Sequence, residues 1–288
     1  SPSPLPYLEA KKADVISTDS AFTIGAVASS FKDTTADSGY YTYTVTNSVG
    51  TNEVVDPYAK SAGIDGIRGM VVDFNKVNKE VMDKLVKEIK ASKITNFVAA
   101  ARGASDHALT FFKYVLEVNS LYTVGLSAPS VLTLYKGKIN YANSIVIGCS
   151  QSGKAEDVLE VVKKGNEQGA ITIAVTNDTN SPLAKEAKFH LYCNAGEEKS
   201  FVATKSFSAQ LFVLLWLASE LSEKKDNIKL LKILGMGLEQ VIPQIDVLTT
   251  KYADIFKDMK SGFILSRGIT YPIALEASLK LQETCYIL

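Results

Sequence analysis

The chain lacks an excess of charge of either sign. Its 288 residues carry 31 Lys and Arg against 31 Asp and Glu, so the formal net charge at neutral pH is zero. A protein whose main partner is a nucleic acid or an anionic membrane usually presents a strongly basic surface. We therefore expect neither a nucleic acid nor a membrane among the partners of this chain.

Cysteine and histidine are also scarce. The three cysteines, Cys149, Cys193 and Cys285, lie far apart without the spacing of a metal site, and there are only two histidines. Cys149 and Cys193 fall in strand-like apolar runs, so we interpret the cysteines as reduced core residues of a cytosolic (cytoplasmic) protein. No His, Cys and Asp cluster indicates a metal, and we expect no cofactor.

Long apolar runs are missing. The longest, Leu211 to Ala218, is far too short to cross a bilayer. The first residues, Ser1 to Pro6, have neither a basic start nor an apolar stretch, so we expect no signal peptide. Hydrophobic residues still make up 46% of the chain, which is enough for the core of one large domain or two ordinary ones.

The N-terminal segment, residues 1–70, is rich in Pro, Ser, Thr, Asp and Gly. Strand-like alternation occurs over Tyr40 to Thr46 and, less clearly, over Phe22 to Val27. A β-rich appendage and a loosely packed arm are both compatible with this pattern. We find no residues in it that indicate chemistry.

Residues 71–223 alternate apolar strands with helices. An amphipathic helix is predicted where Val77, Val81, Leu85 and Ile89 repeat every four residues among charges. This alternation predicts a first domain of the α/β class, a three-layer doubly wound parallel sheet with helices on both faces. The predicted strands are 94–101, 121–126, 145–147, 170–176 and 189–194, and the main helices 107–118, 156–169 and 204–221.

One strand leads into an unusual loop. The β-branched run Ile145 to Ile147 is followed by Ser150-Gln151-Ser152-Gly153 and then by a helix that is acidic at its start and basic at its end. A strand, a hydroxyl-rich turn and a helix N-terminus together form an anion site, most often for phosphate. A capped helix that simply follows a turn is the alternative.

Two further loops favour the phosphate hypothesis. In a parallel sheet, ligands bind beyond the carboxyl ends of the strands, where the strand order reverses. The loops at 103–106, 150–153 and 196–204 all follow predicted strands at that edge, and all three carry Ser or Thr. Their convergence predicts one shared phosphate site.

The C-terminal part repeats an earlier pattern. Residues 224–260 are predicted to be a helical connector with turns or kinks at Gly235 and Pro243, and Ser261 to Gly268 a new strand. Arg267-Gly268 lie 165 residues after Arg102-Gly103, and each pair precedes a helix. Residues 261–288 thus look like the incomplete start of a second copy of the domain, which either a partner chain completes or truncation has shortened.

The last predicted helix has one polar face. Glu276, Lys280 and Glu283 fall on the same side of it. They form either an exposed ladder of ion pairs or a carboxylate base next to an ammonium group. Proton transfer beside a carbonyl requires the second arrangement.

These features together resemble the SIS (sugar isomerase) domain family, in particular its amino-sugar branch: the isomerase half of glucosamine-6-phosphate synthase and the SIS-type glucosamine-6-phosphate deaminases. The resemblance covers roughly 95–222 and 261–288. The residues that carry it are Ala101-Arg-Gly-Ala-Ser-Asp-His-Ala108, Ser150-Gln-Ser-Gly153, Asn177 with Ser181-Pro-Leu-Ala184, Val202-Ala-Thr-Lys-Ser206, and Tyr271 to Glu283.

The resemblance implies a SIS fold, a homodimer and a sugar-phosphate ligand. It implies that Glu283 moves the proton between C1 and C2 of the open-chain sugar, with Lys280 and Glu276 lining the sugar site. The residues implied to hold the phosphate are Ser105, Ser150, Gln151, Ser152 and Thr204, with backbone amides near Val202. His107 is interpreted as a structural residue at a helix start, and His190 as a core residue.

The chain departs from the family's sequence pattern in two ways that narrow the activity we expect. Lys154-Ala155 follow the Ser-Gln-Ser-Gly loop where the synthases have Glu-Thr, which is closer to the deaminases. The family's ring-opening histidine and C-terminal lysine fall beyond Leu288, and no glutaminase domain is present. We therefore expect an aldose–ketose isomerase or deaminase acting on an amino-sugar 6-phosphate of the glucosamine 6-phosphate or fructose 6-phosphate type. The alternatives are a non-catalytic sugar-phosphate-binding regulator and an inactive fragment of the enzyme.

Overall fold

The computed structural model describes residues 22–23, 32–33, 41–47, 52–55, 77–196, 198, 203–222, 241, 244–245 and 247–285. The N-terminal strands form their own antiparallel sheet, in which the central strand β3 pairs with the other three. This confirms a strand where Tyr40 to Thr46 alternate. The strands are β1 (Phe22–Thr23), β2 (Lys32–Asp33), β3 (Tyr41–Asn47) and β4 (Asn52–Val55).

The main sheet has five parallel strands in the order β6-β5-β7-β8-β9. The outer strands β6 and β9 are partly exposed, whereas every residue of β7 and β8 is buried. This confirms the predicted α/β fold, because only a strand covered on both faces tolerates such a continuous apolar run. The strands are β5 (Asn96–Ala100), β6 (Thr123–Leu126), β7 (Ile145–Cys149), β8 (Ile171–Thr176) and β9 (Phe189–Tyr192).

Helices cover both faces of this sheet. One apolar core lies between the sheet and α1, α2 and α6, and a second lies between the sheet and α3, α4 and α5. These two cores make the three layers of the fold. The helices are α1 (Lys79–Ser92), α2 (Ala104–Asn119), α3 (Ser130–Thr133), α4 (Glu156–Glu167), α5 (Pro182–Glu186), α6 (Lys205–Leu221) and α7 (Tyr271–Cys285).

The buried stripe of α1 differs from the predicted one. Met82, Leu85 and Ile89 are fully buried, whereas Val77 is 42% exposed. A repeat of four residues advances about 40° per step around a helix of 3.6 residues per turn, so it drifts away from the core. The observed spacing of three and four residues keeps one face on the sheet.

The strand predicted over Ser261 to Gly268 is wrong. Residues 261–267 form no regular structure, and Phe263 and Leu265 are 94% and 87% exposed. A strand needs a neighbour to take its backbone hydrogen bonds, and no strand among the described residues pairs with this segment. Gly103 and Gly268 do share a positive φ before a helix, at +55° and +68°, but the second copy of the domain stays a prediction.

The connector is only partly within the described residues. Residues 247–256 are helical, as predicted, whereas Gly235 and Pro243 lie outside the described ranges. In the part of the chain that the structure describes, no helix is both long and apolar enough to span a bilayer.

The sheet topology places a crevice above β5 and β7. The chain runs from β5 to β6 on one side and then returns to place β7 on the other side of β5. The strand order therefore reverses between β5 and β7, and the loops at their carboxyl ends diverge to opposite layers. The Gly103 and Ser150 loops lie at this switch point.

Candidate functional site

The Ser150–Gly153 loop is held by its own backbone and by the loop after β8. The N–H of Ser150 donates to the carbonyl of Val175, the N–H of Gly153 to that of Ser150, and the N–H of Asn177 to that of Gln151. No acceptor in the described ranges takes the N–H of Gln151 or Ser152. Two donors are thus left for a ligand at the end of β7.

Asn177 and Ser181 brace these loops rather than line the site. Asn177 donates through Nδ2 to the carbonyl of Gly196 and accepts the N–H of Ala195, which ties the end of β8 to the loop after β9. The hydroxyl of Ser181 accepts the N–H of Ala184 and so caps α5. These two motif residues therefore hold in place the loops that surround the site.

A cavity of about 230 Å³ opens at the switch point. It brings together four residues predicted to hold phosphate with two residues predicted to act on the sugar. Its wall is formed by Ser105, Ser150, Gln151 and Ser152, by Arg102, Lys280 and Glu283, and by Ala104, Cys149, Ala155 and Ala203. The residues come from the ends of β5 and β7, from the start of α6 and from α7.

Two predicted site residues among those described do not line this cavity. Thr204 is exposed at the N-terminus of α6, next to Ala203, which does line it. Glu276 is buried behind Lys280, and Val202 lies outside the described residues. The α6 N-terminus is capped by Glu198, which accepts the N–H groups of Thr204 and Ser206 at 3.4 and 3.1 Å.

The polar face of α7 is a network that is buried at Glu276 and exposed at Glu283, whose side chain is 36% exposed. Lys280 Nζ forms an ion pair with Glu276 Oε1 at 3.1 Å, without the alignment of a hydrogen bond. The same Nζ lies 2.8 Å from Glu283 Oε2. Glu276 Oε2 lies 2.8 Å from His107 Nδ1 of α2. The side chain of Glu276 is only 7% exposed and that of Lys280 24%. The network therefore fixes Glu283 at the cavity wall.

The charges of this network are mutually stabilising. Burial alone would raise the pKa of the Glu276 carboxyl, but the hydrogen bond with His107 and the ion pair with Lys280 outweigh burial and hold that pKa below its ordinary value. Burial alone would lower the pKa of Lys280, yet the two carboxylates beside it raise that pKa. At neutral pH the network presents a carboxylate and an ammonium group.

Sequence reasoning missed what His107 and Arg102 contact. His107 was assigned to the start of a helix, and it does lie in the first turn of α2, but its ring joins α2 to α7 through Glu276. Arg102 lines the cavity and pairs with Asp157 in the first turn of α4. Arg102 directly follows the predicted strand 94–101 and precedes a glycine, which is the only local signal that could have identified it.

The remaining titratable residues lie in different surroundings. His190 is half-buried on β9 rather than in the core, its Nε2 lies 2.8 Å from Thr176 Oγ1, and burial lowers its pKa. Across the described ranges, no group of three or more His, Cys, Asp and Glu is arranged to hold a metal ion.

The three cysteines differ in their exposure to solvent. Cys149 and Cys193 are buried, and burial raises the pKa of Cys149 to about 12 and that of Cys193 well above its ordinary value. Cys285 is exposed at the end of α7, so the prediction that it belongs to the core is wrong. Because the thiolate is the reactive form, we expect a disulfide reagent at pH 8 to label one thiol quickly in the native chain.

The labelling is checked by counting released thiolate spectrophotometrically. Cys285→Ser should remove the fast phase, and unfolding in guanidinium should expose the other two thiols. A second fast thiol in the folded protein would contradict the burial of Cys149 and Cys193.

The family model described as SIS domain matches residues 91–220. These residues contain β5 to β9 and the loops that build the cavity. Residues 91–220 of the chain therefore match the SIS domain family. The match confirms the resemblance that the Ser105 and Ser150 motifs indicated, whereas α7 lies outside the matched residues.

A relative from Sulfolobus acidocaldarius, named glutamine--fructose-6-phosphate aminotransferase [isomerizing], is 31% identical over 208 residues, which are 72% of this chain and 34% of that protein. The chain thus spans about a third of the length of these curated relatives. It also shares the fold of two solved structures. One is a candidate phosphosugar isomerase from Silicibacter pomeroyi DSS-3, with 27% identity, a TM-score of 0.68 and coverage of 77% of this chain and 67% of that one.

The second solved structure is the C-terminal domain of glucosamine-fructose-6-phosphate aminotransferase from Francisella tularensis. It has 22% identity and a TM-score of 0.60, and it covers 79% of this chain and 70% of that one. At this identity the likeness concerns the fold alone.

Proposed function

We propose that this chain binds an amino-sugar 6-phosphate, or a close relative of one, and interconverts its aldose and ketose forms with or without loss of ammonia. The observation that carries the proposal is a single cavity that joins a cradle of hydroxyls and amides to a carboxylate–ammonium pair. The relatives' names, which include fructose 6-phosphate and isomerisation, support the same substrate class.

The phosphate end of the ligand is assigned to the cradle. Ser105, Ser150 and Ser152 offer hydroxyls, Gln151 offers its side-chain amide, and the N–H groups of Gln151 and Ser152 have no acceptor among the described residues. The cradle also faces the N-termini of α2 and α4, whose partial positive charge favours an anion. Thr204 and the amides near Val202 would complete the cradle from the start of α6.

The sugar end is assigned to α7. In the open-chain aldose, the Glu283 carboxylate removes the proton from C2, the C2–H electrons form the enediolate double bond, and the carbonyl oxygen gains the charge. Lys280 is the ammonium group that stabilises this charge. The proton of the C2 hydroxyl then passes to the C1 oxygen, and the carboxyl of Glu283 returns its proton to C1 as the C2 carbonyl of the ketose forms. Where C2 carries an amino group instead, the same steps give a C2 imine, which water hydrolyses to the ketose and ammonia. Atoms are conserved and no oxidant is needed.

The size of the cavity agrees with a small ligand. Sites for drug-sized molecules have volumes of about 300–1,000 Å³. A cavity of about 230 Å³ is below that range and suits a single phosphorylated sugar.

A thermal-shift screen tests the binding. Glucosamine 6-phosphate, fructose 6-phosphate and glucose 6-phosphate are compared with the same sugars without phosphate. A ligand present at 100 times its Kd stabilises the folded state by about 2.7 kcal/mol, which corresponds to a rise in Tm of about 5–10 °C for a domain of this size. We expect this rise only with phosphorylated sugars.

Turnover assays on any stabilising sugar then separate the alternatives. Formation of ketose without ammonia indicates an isomerase, and release of ammonia indicates a deaminase. Binding without either product supports the non-catalytic regulator or the inactive fragment. Equal stabilisation by sugars with and without phosphate, or none by either, would overturn the phosphate assignment.

A further inference from the structure

Gln210 contacts the site from outside the cavity. It lies in the middle of α6, is 1% exposed, and is not part of the cavity wall. Its Nε2 donates a hydrogen bond of 2.9 Å to Oγ of Ser105, which does form part of that wall. The two residues are 105 positions apart in the sequence and meet because α2 and α6 pack in the same layer.

This hydrogen bond determines whether the Ser105 hydroxyl is left as a donor or as an acceptor for other groups. A serine hydroxyl has one O–H donor and two acceptor lone pairs, whereas an amide NH₂ only donates. Ser105 Oγ therefore acts as the acceptor towards Gln210 and keeps its own O–H for another partner. In the described part of the chain, no oxygen or nitrogen accepts that O–H. The hydroxyl does form a hydrogen bond with the buried Cys149 thiol, but sulfur is a weak acceptor that a phosphate oxygen can replace.

We propose that Gln210 is a positioning residue that turns the Ser105 hydroxyl into a dedicated donor for the phosphate group of the ligand. The inference rests on the proposed function, since it assumes that the cradle holds a phosphate. Phosphate oxygens are hydrogen-bond acceptors. A hydroxyl that already accepts a hydrogen bond from a buried amide is therefore oriented to donate its O–H to them. Gln210 would thus raise phosphate affinity without touching the ligand.

The carbonyl oxygen of the Gln210 side chain argues against a purely structural role for this residue. Oε1 of Gln210 is buried without a hydrogen-bond partner among the described residues, and so is Oγ of Ser206 one turn earlier. A buried unsatisfied acceptor destabilises a fold, typically by about 1–3 kcal/mol. An apolar side chain of the same length should therefore be tolerated at position 210 or even stabilise the protein.

The test is a double-mutant cycle on the whole chain. Fructose 6-phosphate and, separately, inorganic phosphate are titrated calorimetrically into the wild type, Gln210→Met, Ser105→Ala and the double variant. We expect Gln210→Met to weaken binding about 3- to 10-fold and to leave the unfolding midpoint unchanged or higher. In the Ser105→Ala background the same substitution should cause no further loss, because the hydroxyl it orients is gone.

Gln168→Met is the matched control. Gln168 is a part-buried amide that accepts the N–H of Tyr141 and donates to the carbonyl of Ile139, away from the cavity. We expect this variant to lower stability while leaving affinity unchanged. Gln210→Glu, which keeps the shape of the side chain but lacks the NH₂ donor, provides a second variant should Gln210→Met fold poorly, and it should also weaken binding.

The outcomes separate the two proposals. If the wild type binds neither fructose 6-phosphate nor phosphate, the proposed function fails and this inference fails with it. If the wild type binds but Gln210→Met and Gln210→Glu bind equally well, only the inference fails. An equal loss of affinity with and without the Ser105 hydroxyl would show that Gln210 acts through the fold rather than through Ser105.

Discussion

Glu283→Gln is expected to retain affinity for the sugar phosphate while lowering isomerisation about 100- to 10,000-fold, the usual range for loss of a general base. Glutamine has nearly the same shape as glutamate but cannot accept the C2 proton. Glu283 lies at the cavity wall, where Lys280 holds it at 2.8 Å. Ligand affinity is measured by calorimetry, and proton transfer by loss of the C2 hydrogen signal in deuterated buffer.

Glu167→Gln is the matched control for this experiment. Glu167 pairs with Lys164 at 2.6 Å and with the same spacing of three residues as Glu283 and Lys280, but on the exposed surface of α4. An exposed ion pair contributes little, so this variant should keep both stability and turnover. Unchanged turnover in Glu283→Gln would remove Glu283 from the mechanism, and loss of binding together with turnover would assign it to ligand binding instead.

Gly153→Ala is expected to cost about 2–5 kcal/mol of unfolding free energy and to abolish sugar-phosphate binding at millimolar concentration. Gly153 has a φ of +63°, in which an L side chain is strained by about 1–2 kcal/mol. A Cβ at this position would also clash with Ser181, whose Cβ would be 2.5 Å away. Overpacking adds about 1–3 kcal/mol, and relief of the clash would displace the Ser150–Gly153 loop.

Gly169→Ala separates the effect of backbone strain from the effect of the clash with Ser181. Gly169, after the end of α4, also has a positive φ, +76°, but an added Cβ would meet nothing within 4 Å. This variant should therefore lose only about 1–2 kcal/mol and should bind normally. Chemical unfolding and a fructose 6-phosphate titration measure both effects. If Gly153→Ala were no more destabilising than Gly169→Ala, the close approach of the loop to Ser181 would be contradicted.

Much of the fold is visible in local patterns. The unbroken β-branched run in β7 favours burial on both faces, and such burial predicts a parallel sheet with helices on both sides. The same reasoning failed at Ser261 to Gly268. There the apolar pattern is present, but a strand also needs a neighbouring backbone, which the local sequence does not specify.

The site was predictable to the extent that its residues follow strands. Ser105 and Ser150 come after β5 and β7, and topology alone brings such loops to one edge of the sheet. The face shared by Glu276, Lys280 and Glu283 follows from helix geometry, which is also local. The roles of these residues in binding and proton transfer stay predictions that the variants above test.

The amino-acid sequence by itself determined the alternation of strands and helices, the hydroxyl-rich loop at the end of β7 and the polar face of α7, because each depends on neighbours a few residues apart. Only the tertiary structure decided that His107 meets Glu276, that Gln210 meets Ser105 and that Arg102 meets Asp157. Each of these contacts joins two elements that are far apart in the chain, and the packing of helices on a shared sheet sets their distance.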